Sequence, residues 1–179
     1  DLTILNDIVT KSGINDMAYQ QEPDSILWCV RDDGVFAGLT YQRSENVIAW
    51  HRHKLGGTFG TGASATGYGV VESVASISGE LTEDELYVIV KRTINGATKR
   101  YVEVFAPFDF DETSSTDFRF LDSHLTYSGS ATTTLSGLSH LEGQVVSILA
   151  DGATHADKTV SSGSITLDRS VTSAVVGLN

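Results

Sequence analysis

The chain has a single cysteine, Cys29, among 179 residues, so it can close no intrachain disulfide and supply no cysteine cluster for a structural zinc. A thiol in mid-strand between Trp28 and Val30, with no histidine near it in sequence, reads as buried and inert. Basic residues are also scarce. Twelve Lys+Arg stand against 23 Asp+Glu, a net charge of −11, which is the wrong sign for a protein that gains affinity by neutralising phosphates. No apolar run approaches the roughly 18 residues of a membrane span, and no charged segment leads into an apolar signal core. At this length a compact fold buries roughly 70% of the surface its unfolded chain exposes, so a core needs no covalent staple.

What is present is a two-residue rhythm of β-branched and aromatic residues punctuated by Gly, Asn and Asp, the pattern of an all-β protein. Ile26–Arg31 and Val35–Tyr41 flank Asp32-Asp33-Gly34, where Asp-Gly suggests a tight primed hairpin turn. Asn46–His53 and Val70–Ile77 read as further strands, and Glu85–Arg92 with Ala97–Phe105 as a second hairpin turned at Asn95-Gly96. Leu27-Trp28 recurs loosely as Leu86-Tyr87 at a period of about sixty residues, which suggests antiparallel propeller-blade-like hairpin sheets. Between the hairpins, 56–69 holds six glycines in fourteen residues and is expected to be a mobile loop without regular structure. It lacks the Gly-Lys-Ser/Thr ending of a phosphate-binding loop.

The expected organisation is a blade-like domain over 1–108, an Asp/Ser/Thr-rich connector over 109–136, and a small β module over 137–179 made of four short strands. The ending Val175–Asn179 reads as a strand that runs on, and the chain as a piece of a longer protein.

Candidate chemistry is sparse. His51 and His53 form His-x-His on a strand, with both imidazoles on one face; this spacing suits a metal, or a polar exit from a sheet beside Trp50, Arg52 and Lys54, and the lack of a third ligand nearby favours the exit. Asp109, Asp111 and Glu112 read as calcium ligands, as paired carboxylates or as solvated charge; the calcium-loop pattern with its central Gly and closing Glu is missing. His124, His140 and His155 read as turn or surface residues. Trp28, Tyr41, Trp50 and Tyr87 are either a stacking platform for a host glycan or packing between sheets. No catalytic constellation, cofactor motif or metal motif emerges, and Trp28, Tyr41, Trp50, His51 and His53 are the candidate binding or interface residues.

The strings Pro23–Gly34, Leu39–His53, Val71–Ala75 and Arg92–Glu103 resemble the C-terminal half of a large tail protein of bacteriophages and prophages, similar to the tail-tube nozzle and DNA-stabilisation proteins of short-tailed phages. Ala-Trp-His-Arg-His and Ile-Asn-Gly are its more specific strings. Phe120–Ser123, Gly137–Gly143 and Ala150–Gly152 extend the likeness, the last two into a module similar to a β-barrel insertion domain also seen in ubiquitin-activating enzymes. The resemblance implies a non-catalytic virion component made in the bacterial cytoplasm. It further implies a homo-oligomeric ring among other tail proteins, through which DNA passes without tight binding; the acidity then either repels the duplex from the wall or serves solubility alone.

Overall fold

The computed structural model describes residues 6–79, 83–106 and 119–179. These group into two compact units, one within Asp1–Arg92 and Arg100–Phe105, the other within Thr93–Lys99 and Ala106–Asn179. Both are built from antiparallel sheets, as the two-residue rhythm requires.

In the first unit a one-turn helix α1 (Asp7–Thr10) precedes a meander of β1 (Ile14–Gln20), β2 (Ile26–Arg31), β3 (Phe36–Gln42) and β4 (Val47–His53), hydrogen-bonded in that order. A second meander follows from β5 (Val70–Ser78), β6 (Asp84–Ile94) and β7 (Ala97–Val104), of which the hairpin segment Thr93–Lys99 is grouped with the second unit. Both sheets feed one core of Trp28, Val30, Phe36, Leu55, Val71, Val74, Leu86, Val88 and Val90. The reverse face of β2 and β3 is covered as well, with Cys29 and Ala37 packed on Val9 of α1 and against Trp50. That explains why Trp28 to Arg31 are buried without alternation. Asp16 ties the sheets together by accepting from Ser73 Oγ at 2.8 Å and from the Val74 amide at 3.1 Å. That backbone bond, foremost, lowers its pKa.

Turn chemistry separates the two expected hairpins. Asn95 and Gly96 both have positive φ, 49° and 72°, as a two-residue primed turn needs. At Asp32-Asp33-Gly34 only Gly34 is positive, at 79°, and its amide donates to Arg31 O at 2.9 Å while the Arg31 amide donates to Val35 O at 3.2 Å. The primed turn expected there is instead a three-residue loop with a left-handed glycine, because Asp33 stays at negative φ.

The suggested repeat does not survive the pleat. Trp28 points into the shared core, whereas its counterpart Tyr87 faces away and the preceding Leu86 is the buried residue. The two segments are one residue out of phase, so their likeness is compositional. Among the described residues the seven strands form two sheets on one core, with no radial array of blades.

The second unit is one sheet of β8 (Asp122–Ser136), β9 (Val145–Ala150), β10 (Ala153–Thr159) and β11 (Ser164–Leu178), ordered β10-β9-β11-β8. It does not close into a barrel among the described residues. The expected connector is corrected over its second half: 122–136 is a fifteen-residue strand paired along β11 from Ser164↔Ser136 to Leu178↔Asp122. Its Ser/Thr alternation reads as linker because most of its side chains face solvent, yet Thr, Tyr and Leu favour a half-buried pleat once a partner strand is present. Residues 137–179 hold three strands and not four, since Ser164–Leu178 runs unbroken. Ser139–Leu141 forms a short 3-10 turn that seats Leu141 in the core.

Candidate functional site

Three of the five candidate side chains come together. Trp28, Gly38 and His51 lie in one cross-strand row of β2, β3 and β4, and Phe36 pairs with His53 in the next row on the same face. Trp28 stacks on Phe36 with ring centroids 4.9 Å apart and planes 4° from parallel, and meets His51 edge-on at 5.5 Å and His53 at 5.4 Å. Phe105, just after β7, closes the group at 5.8 Å from Trp28. The indole N–H donates to Gln20 Oε1 at 2.8 Å, so the buried ring leaves no polar atom unpaired. Glycine at 38 is a steric requirement, since a Cβ there would lie 2.2 Å from His51 Cε1.

The histidines bond to each other, His51 Nδ1 to His53 Nε2 at 2.7 Å, and His51 Nε2 lies 3.3 Å from Thr40 Oγ1. Two nitrogens gripping a tetrahedral ion at about 2.05 Å would stand about 3.3 Å apart. The separation seen is that of a shared proton. Burial pushes both imidazoles below their ordinary value of 6.5, and the neighbouring His51 charge lowers His53 further. Among the described residues no three His, Cys, Asp or Glu side chains cluster where they could hold an ion. The pair is an internal polar contact, and the polar exit from the sheet expected of it is corrected: both rings turn inward, while Arg52 and Lys54 turn out.

Tyr41 and Trp50 stand on the opposite face. Cross-strand pairs Leu39↔Trp50 and Tyr41↔Ile48 place them there, Trp50 half-buried against Cys29 and Ala37, and Tyr41 exposed. Tyr87 belongs to the other sheet, where its hydroxyl donates to Glu85 at 2.6 Å. The four aromatics considered as a glycan platform therefore do not lie on one common face, and Trp28, 6% exposed, has no open ring to offer. Cys29 is fully buried, and burial raises its thiol pKa, keeping it protonated.

The other histidines divide. His140 Nε2 lies 3.0 Å from Ser123 O. His155 is enclosed rather than on the surface: its side chain is 4% exposed, its Nδ1 donates to Ala156 O at 2.8 Å, and its Nε2 accepts from the Asp168 amide at 3.0 Å. Asp109, Asp111 and Glu112 lie outside the described residues.

A buried charge escaped the sequence reading. Arg92 is fully buried in β6, its guanidinium forked onto the Glu103 carboxylate and its Nε donating to Gly56 O at 2.7 Å. From the sequence it was placed only as the last residue of the strand Glu85–Arg92. Its position on the core side of β6, in phase with Leu86, Val88 and Val90, was the available signal.

The glycine-rich loop is also more ordered than expected. Gly69 donates to Leu55 O at 2.8 Å to close it, Thr66 clamps Phe59 by a 2.9 Å amide bond and a 3.0 Å hydroxyl contact, and Gly62–Ser64 forms a 3-10 turn. No helix among the described residues is long and apolar enough to cross a membrane. No family model matches the chain, and no curated protein matches it.

Proposed function

We propose that this chain is a non-catalytic structural part of a phage tail, belonging to a ring that conducts DNA. The observation that carries the reading is where the tail-like strings lie. Trp28, His51, His53, Arg92 and the Asn95-Gly96 turn all sit in the shared core or at its hairpin, and the histidine and arginine groups are paired internally. Residues used in this way set shape and do not meet substrate.

In this reading β1–β4 is one blade-like sheet of the parent protein, and edge strands and exposed apolar residues such as Val102 and Val104 are covered in the assembly. The net charge of −11 keeps the duplex from adhering to the conduit wall. Electron microscopy of the virion tests the proposal: several copies of this chain around the tail axis are expected, and a single copy remote from that axis overturns it. Duplex binding by the chain at low salt is expected to be weak, because repulsion is strongest there.

A further inference from the structure

The face of the first sheet that carries Cys29 and Ala37 ends in a concentration of positive charge. Cys29, Ala37 and Arg52 form a cross-strand row, and Arg31 lies two residues beyond Cys29 on the same side. Arg31, Arg52 and Lys54 line an open cleft of about 690 Å³, completed by Asp33, Val35 and Tyr68. Three cations face one carboxylate in a protein whose net charge is −11.

The cleft is built, and not merely a spread of surface lysines. Arg31 is 8% exposed and held rigid: Nε donates to Ser12 Oγ at 2.9 Å and to Asp33 Oδ1 at 3.1 Å, and Nη2 donates to Asp33 Oδ2 at 2.6 Å. Its remaining nitrogen, Nη1, is buried without any hydrogen-bond partner. A guanidinium nitrogen left so is costly unless water or an anion completes it. Across the cleft the glycine-rich loop delivers Tyr68, whose hydroxyl donates to Asp33 O at 3.2 Å and whose ring carries Lys54 Nζ at 5.5 Å. Arg52 and Lys54 have no ion-pair partner among the described residues.

From this we infer that the Arg31–Arg52–Lys54 cleft binds a phosphate-type oxyanion. With the Nε/Nη2 edge of Arg31 held by Asp33, Nη1 is left to donate to such a group, and the two cations opposite suit its double charge. The site stands apart from the tail reading and needs none of it.

Titration calorimetry of the chain with inorganic phosphate tests it, with acetate as control. Saturable phosphate binding is expected, and Arg52→Gln and Lys54→Gln, both exposed positions, should each weaken it roughly tenfold while leaving the circular dichroism unchanged. Arg31→Lys, which keeps the charge and loses the fork, should weaken it as well; should that variant fail to fold, the two exposed positions carry the test. Absence of saturable binding, affinity unchanged from the unsubstituted chain in both glutamine variants, or acetate bound as tightly as phosphate would overturn the site. A short DNA duplex separates the sources: binding lost in the same variants identifies backbone phosphate as the ligand and contradicts the repelling wall, and phosphate binding without duplex binding identifies a free phosphate group.

Discussion

The two units solve the same problem, burying one side of a small antiparallel sheet, with different materials. The second does it with thirteen aliphatic residues from Leu135 to Leu178 and keeps its polar anchoring at the rim. There Asp151, at a primed turn with Gly152, accepts from the Thr172 amide at 3.0 Å, from the Ser173 amide at 2.9 Å and from Arg169 at 3.1 Å. The first unit fills its interior with Trp28, Phe36, Phe105, two imidazoles and a guanidinium. An aliphatic core fails by cavity formation. A core holding titratable groups also fails when charge is unbalanced, so the first unit should respond to perturbations that the second ignores.

The largest expected effect comes from unbalancing Arg92. Glu103→Ala leaves a fully buried guanidinium without its carboxylate and should destabilise the first unit by about 3–5 kcal/mol, read by denaturation followed through tryptophan fluorescence. Both tryptophans, Trp28 and Trp50, lie in that unit, so the probe reports it alone. Replacing both partners, Arg92→Met with Glu103→Leu, should recover much of the loss. A fluorescence midpoint unmoved by Glu103→Ala would show that the buried pair is not what distinguishes this core.

Leu141→Ala is the matching cut in the second unit, removing a fully buried side chain at a cost of about 2–5 kcal/mol. Amide hydrogen exchange should show lost protection along β9 and β11 with the tryptophan transition unmoved. A shift of both together would mean the units unfold as one.

Acid should separate the units next. The histidine pair has folded pKa values depressed below 6.5, so its contribution is present above that pH and is lost as pH falls below 6.5 toward the lowered values. Asp151, held down to about 2 chiefly by the Ser173 and Thr172 amides, contributes above 3.8 and loses that contribution only between 3.8 and about 2. Tryptophan-detected stability should therefore decline first, as the pH falls below 6.5, and a His51→Gln, His53→Gln variant should flatten that limb. Equal decline in wild type and variant would assign the acid sensitivity elsewhere.

The smallest effect is at the hairpin tip. Gly96 sits at φ +72° with open space around its Cα, so Gly96→Ala meets no clash and costs only the left-handed conformation, about 1 kcal/mol, visible as a small shift in thermal midpoint.

Much of this architecture was legible along the chain. Strand positions from β2 to β7 followed from alternation, and Asn95-Gly96 announced its turn because few other residue pairs tolerate two positive φ values in succession. β1 and β8 were passed over. Ile14–Gln20 and Asp122–Ser136 are half-polar segments whose strand character depends on the neighbour that pairs with them, a neighbour 178↔122 distant in the case of β8. The candidate residues were legible as types and not as a group: His51 and His53 were placed on one face by spacing, but whether that face was inside or out rested on a second sheet contributed by residues after 70.

The sequence by itself determined the class, since period-two patterning, scarce cysteine and the turn dipeptides admit little but antiparallel sheets, and its acidity was set by composition alone. Tertiary structure decided which face of each strand was buried, and with it the meaning of the polar residues. A pleat offers two faces to every alternating segment, and only the sheet packed opposite selects between them. That selection put Trp28 and the imidazoles inside and Trp50 across from them. It also sealed Arg92 behind Glu103 and left Arg31, Arg52 and Lys54 gathered around one cleft.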